Sequence, residues 1–87
     1  MKSHSPATIK LAYGDALRKF RSATGLSQIK LADKAGMHFT YPGNAERGNQ
    51  NISLVNIVRI ARALDVPLDK FFAEVEAQLA RYSRPAK

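Results

Sequence analysis

Eighty-seven residues suffice for one domain with its own packed core and are too few for two. Fourteen Lys and Arg against seven Asp and Glu give a net charge of +7, which favours a polyanionic partner, nucleic acid ahead of an anionic membrane surface. Without cysteine there is neither a disulfide framework nor a thiolate metal site, and two histidines, His4 and His38, are too few for a zinc cage, so no metal or other cofactor is expected.

In chain order, the polar stretch 1–8 contains Pro6 and reads as a flexible N-terminal arm. It lacks the apolar segment of a signal peptide, and no later run approaches the roughly 20 apolar residues of a transmembrane helix, so a cytoplasmic protein is expected. From Ile9 to Thr24, Tyr13, Ala16, Leu17, Phe20 and Ala23 recur at helical steps, and Gly25 ends the first helix. Ser27 can N-cap a second helix, about Gln28 to Ala35, whose inward face carries Leu31, Ala32 and Ala35 and which Gly36 stops. The small Ala32 lets a following helix cross closely, so Gln28 to Arg47 reads as helix, glycine turn, helix.

The third helix runs from Phe39 or Tyr41 to Arg47, with Gly48 behind it. Pro42 is out of place beyond a first helical turn, where it would lose a hydrogen bond and crowd the chain before it. A helix capped by Thr40 or Tyr41 removes the conflict and leaves barely two turns. After the polar loop Asn49, Gln50 and Asn51, Ser53 caps a fourth helix with the stripe Leu54, Ile57, Val58, Ile60, Ala61 and Leu64, broken by Val66 and Pro67. A fifth helix, about Leu68 to Arg81, uses Leu68, Phe71 and Phe72 for the core. Val75, Leu79 and Tyr82 are then left for a two-fold dimer interface. Residues 9–82 form the domain and 83–87 a tail.

Catalysis has little support. There is no cysteine nucleophile, histidine cluster or glycine-rich phosphate loop, and Ser27 and Ser53 are explained as caps, so no enzyme is expected.

The stretches GDALRKFRSATGLSQIKLADKAGM, ERG and NISLVNIVRIARALDVPLDKFF, in that order over roughly Leu11 to Phe72, resemble the Xre/Cro-type helix-turn-helix regulators, which include phage repressors and controller proteins of restriction–modification systems. The resemblance implies an all-α, lambda-repressor-like five-helix bundle. It implies a homodimer that binds double-stranded DNA at a palindromic operator with helix three in the major groove. No small-molecule ligand is legible.

Carried over position by position, the resemblance makes Thr40 and Asn44 base readers, with Tyr41 beside them. Gln28, Phe39, Gly43, Arg47, Asn49, Gln50 and Asn51 become contacts to the DNA backbone. Glu46 would repel phosphates if exposed, so it is expected in a structural ion pair with Arg18 or Arg21. Pro42, Gly43 and Ala45 stand where such regulators carry larger anchors, which predicts a shallowly packed, mobile third helix. An interaction module, an antitoxin or dimerising adaptor that keeps the bundle and loses DNA reading, is the alternative.

Overall fold

The structure, a computed structural model, describes residues 4–83. They form five helices and no strand: α1 Pro6–Thr24, α2 Gln28–Ala35, α3 Tyr41–Glu46, α4 Leu54–Ala63 and α5 Leu68–Tyr82. α1 runs beside α5 and crosses α3, while α2 packs on both α3 and α4.

Local chemistry sets the boundaries. Serines 5, 27 and 53 occupy extended N-cap positions, and each side-chain oxygen accepts the amide of the residue three places on. Gly25 and Gly36 leave α1 and α2 in the left-handed region at φ 77° and 70°, where a side chain is disfavoured.

Two boundaries differ from the sequence expectation. α1 begins at Pro6, three residues before Ile9, because proline at the first helical position lacks only an amide that would go unpaired there. Residues 5–8 are therefore cap and first turn, while 1–3 of the expected arm lie outside the described residues. α4 is ended by Asp65, at φ 58°, rather than by Val66 and Pro67 themselves. The Val66 amide folds back to the Ala61 carbonyl and completes the cap.

Leu17, Leu31, Ile60 and Phe71 fill the centre, each fully buried. The Phe71 ring lies between Tyr13 and Phe20, with centroids 5.2 and 5.4 Å away. Burial on α5 selects Phe71, Val75 and Gln78, so Phe72, about 100° around the helix from Phe71, is left 43 % exposed. Phe72 is therefore not the core residue the stripe suggested. Val75 conversely is a core residue, and Leu79 packs against that core. Tyr82 spends its hydroxyl within the chain, donating to Asp15 at 2.6 Å. Of the three expected interface residues, Val75 is thus covered by its own fold.

Candidate nucleic-acid interface

The segment from α2 to the loop after α3 depends on one buried carboxylate. Glu46 is 4 % exposed, and Arg21 of α1 grips it through Nε at 2.5 Å and Nη2 at 3.0 Å. Arg21 also donates to the Leu26 carbonyl in the α1–α2 connection, and Gln28 of α2 donates its side-chain amide to Glu46 at 3.1 Å. One carboxylate therefore ties α1, the connection, α2 and α3 together. Hydrogen bonding to Glu46, outweighing the opposing effect of burial, raises the Arg21 pKa above its usual value. Arg18, the alternative partner, pairs with Asp15 one helical turn away on α1 and does not reach Glu46.

Close backbone contact replaces the missing anchors on α3. A Cβ on Gly14 of α1 would lie 2.5 Å from the Ala45 carbonyl oxygen and 2.7 Å from that of Glu46, so only glycine admits this crossing. Pro42, Gly43 and Ala45 are all buried, and the shallow packing expected for α3 is not what the fold adopts. Small residues on both partners let the helices approach until backbone fills the space that larger side chains would take. Thr40 is the N-cap, Tyr41 and Pro42 are the first two helical residues, and the six-residue helix spans less than two turns.

What α3 presents outward is narrower than the expected set. Thr40 is exposed, and its hydroxyl meets Nδ1 of His38 at 2.8 Å. Asn44 is half-buried, and its Oδ1 accepts from Arg47 at 2.5 Å, so the two side chains are coupled to each other. Phe39 is 59 % exposed, with its ring stacked on His38. Arg47, Asn49 and Asn51 are exposed, and the Asn49 amide caps the Asn44 carbonyl.

Four expected contacts face elsewhere. Tyr41 is turned inward onto the core, where its hydroxyl accepts from Asn56 of α4, so it is not placed to read a base. Gly43 is buried against Gln28, whose Oε1 would lie 2.9 Å from a Cβ there. Gln28 in turn aims its amide donor at Glu46 and not outward. Gln50 is half-buried and, with Asn51, edges an apolar cleft between Ile9, Ile52, Ile57 and Phe72.

Sequence reasoning passed over Gly14 and His38. Gly14 carries a signal: a glycine inside an otherwise apolar helical stripe, in a chain whose third helix has small residues. His38 carried none beyond its place in the turn.

This geometry, two helices joined at a left-handed glycine with the second held by a buried Arg–Glu pair, agrees with comparison to known proteins. The helix-turn-helix domain model HTH_3 matches residues 17–71. The chain belongs to the helix-turn-helix family. Among curated helix-turn-helix relatives, control protein C.MunI of a Mycoplasma species is 35 % identical over 71 residues, covering 80 % of this chain and 96 % of its own. Control protein C.BamHI of Bacillus amyloliquefaciens is 44 % identical over 59 residues, covering 67 % and 73 %. Among solved structures, the restriction–modification controller protein C.AhdI of Aeromonas hydrophila superposes with a TM-score of 0.70 at 44 % identity, covering 72 % of this chain and 96 % of that one. Helix-turn-helix membership and these relatives make the chain a DNA-binding transcriptional regulator. Among the described residues, no helix is long and apolar enough to cross a membrane.

Proposed function

We propose that this regulator works in the cytoplasm as a homodimer on a palindromic operator, with α3 of each copy in the major groove, and that it controls a restriction–modification system, like the restriction–modification controller protein C.AhdI. The observation that carries the reading is the outward row Thr40, Asn44 and Arg47 on an α3 clamped by Arg21, Glu46 and Gln28. Thr40 and Asn44 read base edges, while Arg47, Phe39, Asn49 and Asn51 grip sugar and phosphate.

The shortness of α3 supports a dimer. Two base readers, at about 1–3 kcal/mol of discrimination each, reach at most the lower part of the roughly 4–10 kcal/mol that separates specific from non-specific sites, and a second copy doubles the contacts. Leu54 is in helical register with Ile57 and Ala61, so the apolar stripe of α4 runs one turn beyond the core and leaves Leu54 70 % and Val55 59 % exposed. With Ile9 and Phe72, at 47 % and 43 % exposure, they supply apolar surface for a second copy. This surface replaces the buried Val75 in the proposed interface. Leu79, half-buried, and Tyr82, 44 % exposed, remain in the proposed interface.

Selecting bound sites from random duplex DNA tests the reading. Two inverted half-sites about one helical turn, roughly 34 Å, apart are expected. Recovery of unrelated sequences, or binding without dependence on salt, would count against it.

A further inference from the structure

The His38 ring holds Thr40, the N-cap residue of α3, by both its amide and its hydroxyl. Thr40 holds the N-cap position, yet its side chain makes no capping bond. The free acceptor comes from two residues earlier: Nδ1 of His38 lies 3.2 Å from the Thr40 amide nitrogen and 2.8 Å from the Thr40 hydroxyl oxygen. An amide N–H can only donate, so Nδ1 is the acceptor and carries no proton. The hydroxyl, at 2.8 Å from the same nitrogen, must then direct its own hydrogen there too. In the neutral ring the proton sits on Nε2. The ring is held in this orientation by the stack on Phe39, with centroids 4.6 Å apart and planes 26° from parallel.

The geometry points to His38 as a positioning residue that fixes Thr40 as a hydrogen-bond acceptor, so that Thr40 selects a base presenting an amino group in the major groove, adenine N6 or cytosine N4. This rests on the groove-facing placement of Thr40 proposed above. A threonine hydroxyl left to itself rotates to suit donor or acceptor and discriminates poorly. With its hydrogen committed to His38, only its lone pairs face the base. Among the described residues His38 has no ion-pair partner, and both hydrogen bonds of its ring go to Thr40, so no charged side chain bonds to the ring.

Asparagine at this position offers a control, because its Oδ1 can take the place of Nδ1 and accept the amide two residues on. The full chain and the variants His38→Asn, His38→Ala and Thr40→Val are compared on the selected operator and on duplexes altered at the base opposite Thr40. The unaltered protein and His38→Asn are expected to prefer the amino-bearing base by about tenfold, and His38→Ala to lose that preference. A preference that survives His38→Ala overturns the proposal. Nitrogen-15 NMR of the free protein reads the tautomer without DNA, and a neutral ring with its proton on Nδ1 overturns the proposal by itself. If the tautomer is as expected but Thr40→Val leaves base preference intact, the groove placement of Thr40 is what has failed.

Discussion

Gly14 and Ala45 meet backbone to backbone: a Cβ on Gly14 would stand 2.5 Å from the Ala45 carbonyl oxygen. The depth at which α3 seats on α1 is set by that contact. Gly14→Ala is expected to destabilise the fold by about 1–3 kcal/mol, although alanine is the better helix former, because the atoms it meets are backbone and cannot move aside. Gly43→Ala makes a contrast. Its Cβ meets the tip of Gln28, a flexible side chain, so stability should change by less than about 1 kcal/mol while Gln28 swings away from Glu46. Urea unfolding of both variants checks the pair, and an unchanged or higher midpoint for Gly14→Ala contradicts the close-crossing account.

Glu46→Ala should cost about 3–5 kcal/mol, since it leaves the Arg21 guanidinium, 16 % exposed, without its partner. Glu46→Gln keeps acceptor geometry for one Arg21 nitrogen and should cost less. Because the clamp orients α3, operator affinity should fall in Glu46→Ala even at temperatures where circular dichroism reports a folded protein. A variant that is folded and binds normally would show that the clamp is structural only for stability.

Arg47 and Asn44 share a hydrogen bond, so their effects on DNA binding should not add. Asn44→Ala relaxes preference at one base position by about 1–3 kcal/mol. Arg47→Ala weakens binding to every sequence and also relaxes that same position, because Asn44 loses the group that holds it. A double-mutant cycle on operator and altered duplex should give an interaction of at least about 0.5 kcal/mol, and simple additivity argues that the bond is absent in the complex.

Leu54→Asp and Val55→Asp together should convert a dimer to monomer in sedimentation equilibrium with little loss of fold, because both side chains are mostly exposed within one copy. Val75→Asp should instead unfold the chain, since Val75 lies in the core. A double variant that remains dimeric places the interface elsewhere.

Glu74 gives a small acid dependence. The hydrogen bond from Lys19 at 2.9 Å, ahead of the opposing effect of burial, lowers its pKa. A carboxylate lowered in the fold binds fewer protons than in the unfolded chain. Its contribution is therefore present above the unfolded carboxylate value, about 4.3, and disappears as pH falls through the folded one. Glu74→Gln should flatten the stability profile in that acid window by less than about 1 kcal/mol. An unchanged slope would mean that the pair with Lys19 does not form in solution.

Most of the scaffold was legible because it depends on neighbours in the chain. Serine caps, stop glycines and the stripes of α2 and α4 act within a turn or two, so their residues predict the helices where they occur. The late start of α3 was legible for the same reason, since Pro42 forbids the earlier one. The sharing of surfaces on α5 was not. Phe71, Phe72 and Val75 are equally apolar, and only the direction from which α1 approaches decides which two are buried.

The sequence by itself determined the helices, their order and the glycine turn, because these follow from local backbone chemistry, while the family and the expected pairing of Glu46 with an arginine came from its resemblance to known regulators. Tertiary structure alone decided that Arg21 and not Arg18 takes Glu46, that Tyr41 turns in to Asn56, and that α3 seats closely on Gly14. Each of those depends on which atoms from distant parts of the chain come within about 3 Å, a distance at which hydrogen bonds form and a single Cβ does not fit.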